Sequence, residues 1–155
     1  MKLYTYQINN DGVDRIGVEC SGWRGMLWPL EAFGLKFRDM HDLICHITPA
    51  QLSRIADAEN ATEGNALRLT NVRLRSPIPH PEQDIVCLGI NYADHAVESA
   101  RFHEQSFLLS REKATYFSKR AYETTGSGDP IPSYEGLVTE LDYEVELGVV
   151  IGRDC

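Results

Sequence analysis

The sequence is short of positive charge. Fifteen Lys and Arg stand against 23 Asp and Glu in 155 residues, a net charge of −8. No basic run occurs, which argues against binding through a nucleic-acid backbone, since that needs clustered cations. Cysteine is scarce too. Cys20, Cys45, Cys87 and Cys155 are widely spaced and none forms a CxxC pair, so the close ligand spacing of a structural zinc site is missing. The N-terminus, MKLYTYQINNDG, has one early Lys and an apolar stretch that polar residues break at once. It does not read as a signal peptide, and no apolar run is long enough to span a bilayer. Without a secretion signal the thiols read as free in a reducing cytosol, which places the protein in the cytoplasm. Internal repeats and low-complexity tracts are absent.

Apolar content is ordinary at 43%, enough for one domain or for a small domain and part of a larger one. KLYTYQI (2–8) alternates like a strand, NNDG (9–12) tolerates the positive φ of a hairpin turn, and VDRIGVE (13–19) returns as a second strand. WRGMLW (23–28) suggests a third, ended by Pro29. Met40, Leu43, Ile44 and Ile47 have helical spacing. Thr48, Pro49 and Gln51 form a capping-box start for a second helix, with Leu52, Ile55 and Ala56 on its buried stripe. LRLTNVRLR (67–75) reads as a kinked strand. SPIPHP (76–81) holds three of the seven prolines and marks a boundary between a small α+β module, 1–75, and a second unit, 76–155. DIVCLG (84–89) then reads as a buried strand and ATYFSK (114–119) as another. ETTGSGDPIP (123–132) is a Gly-rich loop. The fold class is therefore mostly β, within α+β.

Two constellations carry chemistry. In ELDYEVELGVVIG (140–152), Glu140, Asp142, Glu144 and Glu146 fall on one face of a strand, with Leu141, Tyr143, Val145 and Leu147 on the other. A solvated acidic face explains this. So does a divalent cation, because hard ions such as Mg²⁺ or Ca²⁺ take carboxylate oxygens and relieve their mutual repulsion. In NYADHAVE (91–98), His95 and Glu98 are three apart. On a helical turn they sit side by side, and a carboxylate there raises imidazole basicity. The alternative is a plain surface turn. Lys119 ends its strand, either solvated or as a ligand for a substrate carboxylate. His41, His46, His80 and His103 have no such partner spacing and read as structural or exposed.

These pieces in this order resemble the fumarylacetoacetate hydrolase family. The matching words are IVCLGINYADHAVE (85–98), YFSK (116–119), GSGDPIP (126–132) and LDYEVELGVVIGRD (141–154). The resemblance is firm over 77–155 and looser over 1–75. It implies a mixed β-sandwich roll after a small N-terminal domain, and an active homodimer. It implies Glu144 and Glu146 as two ligands of Mg²⁺ or Mn²⁺, with a third, an Asp, beyond Cys155. His95 and Glu98 would be the proton-moving dyad and Lys119 a lysine bordering the site. The substrate implied is a small 2-oxo or β-diketo acid, opened by C–C hydrolysis or decarboxylation. Arg120, Tyr122 and Ile90 differ from the family's usual residues. On this reading the catalytic unit is truncated at Cys155 or completed by another chain, and a non-catalytic metal-binding or interaction remnant is the alternative.

Overall fold

The computed structural model describes residues 1–20, 22–56, 65–89, 92 and 114–153. They divide into two compact units, Met1–Pro79 with Thr124–Cys155, and His80–Glu123.

In the first unit, asparagine starts the fold. Asn9 and Asn10 have φ of 52° and 55°, the turn geometry whose twist suits paired strands. The Asp11 N–H donates to the Ile8 carbonyl at 3.0 Å. Around this turn β1 (Lys2–Ile8) and β2 (Arg15–Glu19) pair antiparallel, with Leu3 opposite Val18 and Thr5 opposite Ile16. Asp11 also accepts from the Val13 N–H and from Arg15. That ties 11–14 into the loop, so the second strand begins at Arg15 rather than Val13. β3 (Met26–Pro29) adds to β2, placing Trp28 beside Val18.

The stretch 67–75 is not one kinked strand. β4 (Leu67–Arg68) pairs with β3, a single 3₁₀ turn follows at Leu69–Asn71, and β5 (Val72–Leu74) pairs with β1. The strand order is β4-β3-β2-β1-β5, so three residues join the sheet's opposite edges. Laid flat, those edges would be roughly 19 Å apart, but the chain from Arg68 to Val72 reaches at most about 14 Å. The sheet therefore curls. Leu27 and Tyr6 lie fully buried on one face. Gly17 makes room there, because a Cβ on it would stand 2.7 Å from the Leu27 side chain.

The other face carries the main core. Ile16, Val18 and Trp28 pack with Leu30, Leu35, Met40, Leu43 and Ile55. The last three come from α1 (Met40–His46) and α2 (Pro49–Ala56). Asp39 caps α1 by accepting from the Asp42 N–H at 2.8 Å. The capping box forms as its residues predict: the Gln51 N–H donates to Thr48 Oγ1 and the Thr48 N–H to Gln51 Oε1. Leu52, expected on the buried stripe, is exposed; a two-turn helix fills its share of the core with Ile55 alone.

In the second unit β6 (Ile85–Leu88) and β7 (Tyr116–Lys119) form an antiparallel pair, Ile85 opposite Lys119 and Leu88 opposite Tyr116. The strand 84–89 exists but is not buried. Ile85, Val86 and Leu88 are exposed, as are Tyr116 and Phe117. Among the described residues of this unit no second layer covers the faces of the two-stranded ribbon.

Candidate functional site

The acidic segment departs most from expectation. Residues 139–152 form no strand, and every side chain from 131 to 151 is exposed. Strand pattern needs a neighbouring backbone to become a strand, because an unpaired row of N–H and C=O groups is held better by water than by nothing. Among the described residues no strand is laddered against this stretch. The segment follows a turn in which Leu137 N–H reaches the Tyr134 carbonyl at 2.9 Å. Its far end touches α1, with Ile44 filling the space a Cβ on Gly152 would need. Glu144 and Glu146 both lie on this exposed stretch. Among the described residues no three His, Cys, Asp or Glu side chains gather as a metal cluster. The donor chemistry suits a hard cation, since two carboxylates two residues apart offer oxygens alone.

Lys119 closes β7 in the second unit, exposed, with its ammonium 5.8 Å from the Phe117 ring centre. His95 and Glu98 lie outside the described residues. His80 has a partner that its spacing does not announce: its Nδ1 is 3.3 Å from the Tyr122 carbonyl, and the two rings meet edge-on.

The Gly-rich loop is anchored within the first unit. Thr124 Oγ1 lies 2.6 Å from Ser76 Oγ and 2.7 Å from the Ile78 carbonyl, and the Thr124 N–H donates to Pro79. Asp129 accepts from Arg73 at 2.7 Å, from Arg75 at 3.3 Å and from the Gly126 N–H at 3.2 Å. The Arg73 guanidinium holds the Asp129 carboxyl below the usual carboxylate range, with the Gly126 amide and the Arg75 charge assisting against partial burial. Sequence reasoning missed this cluster. The available signal was Arg73 and Arg75, two apart on a strand and so on one face, with a lone acid in the later loop.

No helix among the described residues is long and apolar enough to cross a membrane. Among the described residues, Cys20, Cys45 and Cys87 form no disulfide.

Comparison with known proteins adds a lineage to this geometry. Residues 84–155 match the family described as fumarylacetoacetate (FAA) hydrolase, C-terminal. The oxaloacetate tautomerase YisK of Bacillus subtilis is 39% identical over 104 residues, 66% of this chain and 33% of that protein. The mitochondrial oxaloacetate tautomerase fahd2 of Xenopus laevis is 36% identical over 162 residues, 99% of this chain and 44% of its own length. An uncharacterised Staphylococcus aureus protein is 33% identical over 98 residues. The chain spans from about a third to under half the length of the curated relatives it matches.

Proposed function

As the chain belongs to the fumarylacetoacetate hydrolase family, we propose that it is part of a divalent-metal-dependent enzyme that processes a small 2-oxo acid through an enolate. The observation that carries this is the 36% identity to an oxaloacetate tautomerase along 99% of the chain. Tautomerisation, decarboxylation and C–C hydrolysis of such acids all pass negative charge onto the keto oxygen, so one site serves each. In this reading Glu144 and Glu146 hold a Mg²⁺ or Mn²⁺ ion. When bound, the ion supplies Lewis acidity against that charge. His95 takes or returns the proton at the substrate carbon, or draws it from water. Glu98 fixes the imidazole tautomer and raises its basicity. Lys119 offers its ammonium to a substrate carboxylate. The protein is expected to work as a homodimer.

The test follows enol-to-keto conversion of oxaloacetate, its decarboxylation and acylpyruvate cleavage, each with Mg²⁺ or Mn²⁺. Wild type should turn over at least one of them. His95→Ala should lose roughly 10²–10⁴-fold in rate, and Glu144→Ala should lose the dependence on metal. Equal rates in wild type and His95→Ala would reject the role of His95. A second reading, a non-catalytic divalent-metal-binding or interaction remnant, draws on the full exposure of 131–151. Calorimetry with Mn²⁺ separates the two: binding without turnover of any of these acids favours the remnant.

A further inference from the structure

We propose that Asp129 is a positioning residue: gripped by Arg73 and Arg75, it locks the Gly-rich loop to the end of β5 and sets where the acidic segment leaves the sheet. The lock stands on geometry alone; its consequence for catalysis rests on the function proposed above. Six residues of a chain rich in glycine are tied at three points. Thr124 is bound to Ser76, Ile78 and Pro79. Gly126 is pressed against the strand. A Cβ there would lie 2.8 Å from Asp129 Oδ2 and 3.0 Å from both Arg75 Cα and the Leu74 carbonyl, so only glycine fits without moving backbone. Asp129 is then held by two guanidiniums that β5 and its continuation place on one side. The Arg75 N–H donates to the Thr5 carbonyl, so the clamp is built onto the ladder of β1.

Burial distinguishes this cluster from an ordinary surface ion pair. The Asp129 side chain is 16% exposed and that of Arg75 13%. One carboxylate with two guanidiniums and a backbone amide forms a charge-assisted network, which retains strength where a single exposed pair does not. Pro130, Ile131 and Pro132 follow directly. Proline pins φ, so this stretch carries the direction set at Asp129 to the turn at 134–138, from which the acidic segment runs. A loop with Gly126 and Gly128 would otherwise sample many directions, at a cost in entropy each time the acids were needed in one place.

Hydrogen exchange resolved by residue tests the lock, on the whole chain, in wild type and Asp129→Asn. The amides of Thr124, Gly126 and Asp129 should exchange about tenfold faster or more in the variant, while those of β1 and β2 keep their wild-type protection. Unchanged exchange over 124–129 overturns the proposal. So does equal acceleration throughout the sheet, which marks general loosening. Gly126→Ala provides an independent route to the same local release. The catalytic consequence is read in oxaloacetate turnover, where Asp129→Asn should lower kcat several-fold more than it changes KM. Faster exchange with unaltered kcat and metal requirement would make the loop a fold anchor and end the positioning role. A wild type that turns over none of the acids ends the proposed function and that role with it, while the exchange data still decide the lock.

Discussion

β1 and the segment 140–152 are written in the same alternating pattern and meet opposite fates. KLYTYQI pairs with β2 on one edge and β5 on the other. Tyr6 ends fully buried. ELDYEVELGVVIG alternates as regularly, pairs with no described strand, and leaves Val145 at 85% exposed. A period of two specifies faces, whereas pairing depends on neighbours. What separates the regions is the backbone available beside them. β1 has a partner returned by a two-asparagine turn and another delivered by the crossing at 69–71. The later segment touches α1 through Gly152 and, among the described residues, joins no strand ladder.

The largest effect expected from this difference comes from truncating one buried and one exposed apolar side chain. Trp28 is 1% exposed in the main core. Trp28→Ala should cost about 3–5 kcal/mol by cavity formation, enough to unfold much of the chain at room temperature. Val145→Ala should change stability by less than about 0.5 kcal/mol. Urea denaturation followed by far-UV circular dichroism measures both. A loss above 1 kcal/mol for Val145→Ala would show the segment packed in solution and break the contrast.

Legibility in the sequence follows the same line. Local chemistry was readable: the asparagine turn, the Thr48 cap, the helix spacing of Met40 and Leu43, the presence of β6 and β7. Each depends on residues within about four positions of one another. Contacts over long separations were not readable. Nothing in LRLTNVRLR says that its halves join opposite sheet edges, because both halves satisfy the same alternation. Arg73 and Asp129 are 56 positions apart, and a lone Asp in a Gly-rich loop has a local explanation as a turn residue. Burial failed for a related reason. Val86 and Val149 are as apolar as Val18, but burial needs a second layer, and pattern on one strand does not report whether that layer exists. For the candidate site, the family was legible in the order of its motifs, and the arrangement of Glu144, Glu146 and Lys119 in space was not.

Glycines sharpen the comparison at intermediate size. A Cβ on Gly17 meets three atoms of Leu27 at 2.7, 2.8 and 3.0 Å inside the curl of the sheet. Gly17→Ala should cost about 1–3 kcal/mol through overpacking. Gly148 has nothing within 4 Å of the same position, and Gly148→Ala should stay within about 0.5 kcal/mol of wild type. The double variant Gly17→Ala with Leu27→Ala separates crowding from backbone effects. If alanine at 27 relieves none of the loss seen with Gly17→Ala, crowding against Leu27 is not its cause.

The smallest effect concerns a glutamate of the paired sheet. Glu19 closes the β2–β3 connection by accepting from the Gly25 N–H at 2.7 Å and the Tyr4 hydroxyl at 2.8 Å, with Lys2 at 3.4 Å. The Gly25 amide holds its carboxyl below the usual range, burial opposes this, and Tyr4 and Lys2 add to the lowering. Burial, and then the contact with Glu19, push the Tyr4 hydroxyl up. A depressed carboxylate stabilises the fold above its unfolded pKa, about 4.3, and that contribution is lost as pH falls through the lower folded value. Glu19→Gln keeps an acceptor for Gly25 and Tyr4, so at pH 7 it should cost only about 1 kcal/mol. Its clearer mark is a shallower loss of stability below about pH 4 than wild type shows. The measurement is a set of thermal midpoints from pH 7 down to pH 3. An acid limb as steep in Glu19→Gln as in wild type would mean that the contacts of this carboxylate add nothing to the folded sheet, and would weaken the contrast between paired and exposed regions.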